Sequence, residues 1–217
     1  IEGDDGLENE GSGKSADAAA STECIMLARV DPVQKDVYLL SVPIDLSVDL
    51  SSAGSTGRGA IGQARSLGGD AGLVSTVSSA LGIDISHYVR VDHAGLAALV
   101  AHMGGIEVDV ASPVSATAQD GTALLDMDGG EAVDIQAGSQ VLDGNSTLVF
   151  CTAQGAENGE VQRDANQRVA VQALAEKLLS AGSYSNISAA SAFAPNVSCD
   201  MTLDQIVDAA NAFSGMG

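Results

Sequence analysis

Apolar and polar positions divide the chain into short runs, and the first two runs set the expected topology. Residues 24–30 and 37–42 are nearly continuous in apolar side chains and flank a polar segment with Pro32 at a turn position. This pattern predicts an antiparallel hairpin over 25–30 and 37–42. Runs that do not alternate are expected of strands covered on both faces, so the hairpin is placed inside a layered domain. Pro43 stops the second strand and Asp45 follows at once.

Residues 46–50 alternate, as a half-exposed strand does, and lead into a Gly/Ser-rich loop over 51–59. Gly68-Gly69-Asp70 reads as a turn and N-cap for a helix carrying Leu73, Val74, Val77 and Leu81, with Gly82 as its stop. A strand over 87–91 follows. Asp92 then caps a helix with Leu96, Leu99, Val100 and Met103 at helical spacing, and 106–110 alternate as a strand. Residues 112–132 read as a surface loop with a short hairpin; Asp126, Asp128 and Gly130 resemble part of a calcium loop, but its other ligands are absent.

Residues 147–152 fit either a short helix or a strand. A long helix from Glu160 to before Gly182 is predicted with Val161, Ala165, Val169, Leu174 and Leu178 inward and Arg163, Asn166, Gln167 and Lys177 outward. Thr202 to Gln205 form a capping-box pattern opening a last helix through Phe213. The order predicts a single α/β domain over 24–217: a central mixed, mostly antiparallel sheet with helices on both faces. Residues 1–23, Gly-rich and acidic, read as its mobile lead-in.

The chain holds 217 residues, enough for a real core, and 45% are hydrophobic, too many for a disordered chain. Only 3% are aromatic, so pockets here suit aliphatic ligands better than stacked rings. With 29 acids against 9 bases the formal charge is −20, which repels nucleic acid and makes a divalent cation the natural means of approaching a phosphate. No apolar run is long enough to span a membrane, and the abrupt start at Ile1 leads us to expect an upstream segment removed from this piece. Cys24, Cys151 and Cys199 lack metal-ligand spacing; one disulfide plus a thiol and three buried thiols are both compatible with them.

No GxSxG elbow accompanies His87, His93 or His102, and no GxGxxG follows a strand, so triad and dinucleotide chemistry find no support. What remains is a set of carboxylates and cations. Glu23 precedes the first strand, Asp45 ends the second, and Arg163 and Gln167 lie four apart on one helical face. Two acids can hold a divalent cation while Arg and Gln bond phosphate oxygens; the same residues also fit a solvated helix face and two turn acids.

These residues resemble the LytR-CpsA-Psr family of bacterial cell envelopes. Residues 24–27 followed by Val30-Asp31-Pro32 are similar to its D-T-I-M-L strand and V-D-P turn, and residues 40–45 to its L-S-I-P-R-D. Residues 88–92, 99–100 and 104–110 are similar to its Y-V-x-V-D, helix and L-G-G-V-E-V-D-V segment, and Leu142-Asp143-Gly144 and Arg163 to Gln167 continue the order. The resemblance implies an extracytoplasmic, membrane-anchored transferase that moves a glycopolymer from a polyprenyl pyrophosphate carrier to peptidoglycan. It further implies a three-layer fold, magnesium on Glu23 and Asp45, catalysis by Asp45 and Arg163, and an apolar lipid pocket.

Several positions depart from the family. Glu23 replaces Asp, Ile44 the Arg of P-R-D, Ala60 and Gly62 the Lys and Asn of K-I-N, Thr152 and Gln154 the R-x-R pair, and Asn166 the second Arg of R-x-x-R-Q. Arg58 and Arg65, near the lost K-I-N, are expected to join Arg163 and Gln167 in ligand binding. Loss of the other arginines should weaken pyrophosphate binding by several kcal/mol in order of magnitude. Three functions stay open: an active magnesium-dependent transferase, a non-catalytic relative that binds an aliphatic lipid, and an envelope scaffold.

Overall fold

A computed structural model of the chain describes residues 22–31, 34, 36–116, 133–153, 159–180, 197–202 and 205. The lead-in before Thr22, Pro32, Gln154, the acids Asp120, Asp126, Asp128 and Glu131, and the last helix beyond Gln205 lie outside the described residues. The chain divides into two compact units, Ile1–Ile25 with Pro43–Ile85, and Met26–Val42 with Ser86–Gly217. The fold is α/β, with helices and antiparallel strands. The antiparallel strands expected from the sequence pair, among the described residues, in five two-stranded ladders.

In the second unit, β1 (Met26–Asp31) pairs with β2 (Asp36–Ser41), Met26 opposite Ser41, as the apolar runs predict. Their burial differs from the expectation. Leu27 and Leu39 are half-buried, and Tyr38 and Leu40 are 57% and 58% exposed. A continuous apolar run does not distinguish a strand sandwiched on both faces from a ribbon that leaves apolar surface uncovered.

The first unit holds β3 (Ser47–Asp49), which pairs with β4 (Arg58–Ala60) inside the stretch expected to be loop. Helix α1 spans Ala64–Leu81 and starts ahead of the expected cap. The Gly68-Gly69 signal marks a break within it instead: Gly69 has φ 66° and ψ −165°, a conformation open to glycine and strained for other residues. Ile25, Val48, Leu50, Ala53, Ile61, Ala64 and Val77 are the buried apolar side chains among the described residues of this unit.

The rest of the second unit begins with β5 (Val89–Val91) and α2 (His93–His102), whose N-cap Asp92 accepts from the Gly95 amide at 2.7 Å. Strand β6 (Ile106–Val110) buries Ile106, Val108 and Val110 alternately. The short β7 (Val114–Ala116) pairs with β8 (Val133–Ile135), and β9 (Gly138–Leu142) pairs with β6. The ambiguous segment proves helical: α3 spans Gly144–Thr152, capped by Asp143 to the Ser146 amide at 2.8 Å. Helix α4 follows over Gly159–Ser180, and β10 (Val197–Cys199), which the sequence reading missed, pairs with β5. Thr202 and Gln205 exchange the expected capping-box bonds. The core gathers Val100, Ile106, Val110, Val149 and Phe150 between these elements.

The inward face of α4 also differs from the prediction. Asn166 and Gln167 are buried and Val161 is 70% exposed. Of the three cysteines, Cys24 is exposed, Cys199 half-buried and Cys151 buried.

Candidate functional site

In the first unit, the chain leaving Pro43 turns tightly, the Leu46 amide donating to the Pro43 carbonyl at 3.1 Å. The Gly62 amide donates to the Ile44 carbonyl at 2.9 Å and the Ile61 amide to the Leu46 carbonyl at 2.9 Å, which fixes the turn against the strand end before α1. Asp45 is exposed at this turn. A Cβ at Gly62 would lie 3.1 Å from the Ile44 carbonyl oxygen and 3.6 Å from that of Thr22. The main chains just ahead of Glu23 and Asp45 therefore converge on one glycine at which a Cβ would be tightly packed, and both exposed acids emerge beside it.

Thr22 Oγ1, at the same convergence, is buried without a hydrogen-bond partner. Among the described residues no group of three or more His, Cys, Asp or Glu could hold a metal. Two exposed carboxylates fit magnesium, which prefers hard oxygens and is held by one or two carboxylates together with substrate phosphate and water; they do not fit an all-protein cage.

The two described cations of this unit, Arg58 and Arg65, have partners. Arg58 is exposed and its Nη2 donates to the Ser47 carbonyl at 2.5 Å across its own ladder. Asp49 is held below the usual carboxylate value, chiefly by hydrogen bonds from Ser51, with the Arg58 charge contributing. Arg65 is buried and its Nε meets Asp70 Oδ1 at 3.1 Å, bridging the break in α1.

In the second unit, the start of α4 carries the remaining residues. Arg163 is half-buried, and its Nε is buried with no hydrogen-bond partner among the described residues. Gln167, expected to face a ligand, donates Nε2 to the Cys151 carbonyl at 3.0 Å, and Asn166 donates Nδ2 to the Phe150 carbonyl at 3.0 Å. A helix ends with carbonyls that lack intrahelical partners, and these two amides satisfy carbonyls at the end of α3. Buried side-chain amides are tolerated because they are bonded. A signal was present: Asn166 and Gln167 share the helical phase of Ala170, Ala173 and Leu174, which pack on the core. Arg168, which sequence reasoning passed over, donates Nη1 to Ser41 Oγ at 3.0 Å.

The chain matches the LytR_cpsA_psr family over residues 1–217. It belongs to that family. It is 30% identical over 206 residues to the polyisoprenyl-teichoic acid–peptidoglycan teichoic acid transferase TagU of Enterococcus faecalis, covering 94% of this chain and 60% of that protein. To the transferase of the same description from Bacillus subtilis, TagV, it is 28% identical over 167 residues, covering 76% of this chain and 41% of that one. The chain thus spans less than two thirds of either relative. The crystal structure of B. subtilis TagV superimposes with a TM-score of 0.74 at 24% identity, over 90% of this chain and 72% of that one, a likeness of fold. No described helix of this family member is long and apolar enough to cross a membrane.

Proposed function

We propose that this protein works in the cell envelope, outside the cytoplasmic membrane, where it binds the pyrophosphate of a polyisoprenyl-linked glycopolymer and transfers the polymer to peptidoglycan. The observation that carries the reading is Arg163 Nε, a buried cationic donor with no hydrogen-bond partner among the described residues. Leaving a charged donor buried and unmatched is costly, and a phosphate oxygen satisfies it with a charge-assisted bond. The relatives' description as polyisoprenyl-teichoic acid–peptidoglycan teichoic acid transferases supports a polyisoprenyl-linked polymer as the ligand, and we take the phosphate linkage between its lipid and polymer as that anion.

Glu23 and Asp45 would hold a magnesium ion, which supplies Lewis-acid polarisation of the phosphoryl oxygens. The carboxylates would offset the cation's charge. In the second unit, Arg163 taken by itself is suited to take up negative charge on a phosphoryl group as an acceptor hydroxyl of peptidoglycan displaces polyisoprenyl phosphate from it. Against a chain charge of −20, a bound cation also removes the repulsion a pyrophosphate would meet.

A second reading, a lipid-binding relative with weakened turnover, is favoured by the commitment of Arg65 to Asp70 and of Gln167 to Cys151. Calorimetry with geranylgeranyl pyrophosphate, with and without magnesium, tests the common premise. Wild-type binding should depend on magnesium and Asp45→Ala should abolish that dependence. Equal binding by wild type with and without the metal removes the magnesium site. Turnover of a lipid-linked polymer in the presence of peptidoglycan then separates transferase from binder.

A further inference from the structure

We propose that Asn166 and Gln167 are positioning residues for Arg163: by occupying carbonyls at the end of α3, they deny the guanidinium acceptors that would satisfy it within the chain and keep it available to an anion. All of these residues lie in the second unit. Both amides are buried, Asn166 3% and Gln167 6% exposed. Asn166 Nδ2 donates to the Phe150 carbonyl and Gln167 Nε2 to the Cys151 carbonyl, each at 3.0 Å. Phe150 and Cys151 stand in the last turn of α3, where carbonyls lack a partner inside their helix and carry its partial negative charge. Such carbonyls are groups that a cationic side chain ordinarily caps.

Arg163 is the cation at hand. It precedes the two amides at the spacing that puts all three on one face of α4, it is half-buried, and its Nε has no hydrogen-bond partner among the described residues. A buried donor without a partner, one turn from carbonyls that carry negative charge, would cap them itself were they open. The amides forestall that. Gln162 adds a third member, its Nε2 donating to Asn166 Oδ1 at 2.8 Å. An amide whose oxygen is engaged on one side presents its NH2 on the other, so Gln162 fixes which way Asn166 faces and holds it on the Phe150 carbonyl. A neutral amide also satisfies a carbonyl without placing a second positive charge beside Arg163, which a capping Lys or Arg would do.

The inference rests on the proposed role of Arg163 as an anion contact, and a measurement without ligand keeps the two apart. Urea unfolding midpoints are compared for Arg163→Ala made in wild type, in Asn166→Ala and in Gln167→Leu. In wild type the midpoint should not move. In either amide variant an opened carbonyl recruits the guanidinium, and adding Arg163→Ala should then lower the midpoint by about 0.5–1 M, the scale of one hydrogen bond to a charged group over an ordinary urea slope. Two amides that only fasten the helices would show no such coupling. Affinity for geranylgeranyl pyrophosphate should fall severalfold in each amide variant, by less than in Arg163→Ala. Should neither amide variant fold, Gln162→Ala, at a half-buried position, loosens Asn166 with the core intact and should show the same coupling at reduced size.

If Arg163→Ala leaves the midpoint unmoved in every background, the proposal is overturned. A midpoint loss of equal size in wild type and the variants overturns it too, because the guanidinium would then be engaged in the chain from the start. So does pyrophosphate affinity that is unchanged in the amide variants while Arg163→Ala weakens it. If wild type binds no geranylgeranyl pyrophosphate, the anion reading of Arg163 falls, while the unfolding comparison still decides whether the amides keep the guanidinium from the α3 carbonyls.

Discussion

At the break in α1 the buried Arg65 meets Asp70 at 3.1 Å, whereas at the start of α4 Arg163 keeps a buried Nε with no hydrogen-bond partner. Both arginines lie on helices, and among the described residues only the first has its Nε matched. A matched buried cation stabilises its own surroundings. An unmatched donor stores a cost that a ligand can relieve, and that asymmetry separates a structural arginine from one poised for an anion. The same contrast divides the neighbours of Arg163, because Asn166 and Gln167 spend their amides on the end of α3.

The sharpest way to break the contrast is to remove the partner of Arg65. Asp70→Ala should cost about 2–3 kcal/mol in urea unfolding, the scale of stripping one member from a largely buried ion pair. Arg163→Ala should leave stability within about half a kcal/mol while weakening geranylgeranyl pyrophosphate about tenfold, with magnesium or without it. If the two substitutions destabilise equally, Arg163 is structural and the contrast fails.

Gln167→Leu should lower stability by about 1 kcal/mol, since it leaves the Cys151 carbonyl without its side-chain donor, and should alter ligand binding less than Arg163→Ala. Were its binding loss the larger of the two, Gln167 would be a ligand contact rather than a helix cap.

The smallest effect lies at Asp200, held below its ordinary 3.8 chiefly by the hydrogen bond from the Tyr88 amide, with His87 nearby contributing. A depressed carboxylate contributes stability that is complete above its unfolded value and lost as pH falls through its folded value. Exchange protection at β5 should therefore decline in wild type only as pH falls below about 4. Asp200→Asn should flatten that acid limb.

Much of the fold was legible where local chemistry and burial agree. Asp92 caps its helix through its own side chain, and the alternation of β6 matches its one buried face. The hairpin pairing was legible from its two apolar runs, but its exposure was not, because coverage is decided by elements remote in sequence. The α4 face was misread for a different reason. Amides count as polar in any pattern, yet Asn166 and Gln167 are buried because carbonyls at the end of α3 await them, a fact of packing that no local spacing carries. Strand β4 was hidden in a Ser/Gly-rich run that gives little strand signal, and β10 is only Val197–Cys199.

The acid pair was legible as residue types, while its geometric basis at Gly62 was not. Absence of a side chain is informative only once the two carbonyls beside it are known.

The β5–β10 ladder bears on how the chain is made. Tyr88 and Asp200, which brace it, are 112 positions apart, so β5 leaves the ribosome long before its partner exists. Val89 and Val91 remain 57% and 43% exposed even in the finished fold, and during synthesis they stand beside an open strand edge. Biosynthesis thus passes through a stage in which a short apolar edge must be shielded, and the arrival of β10 closes it.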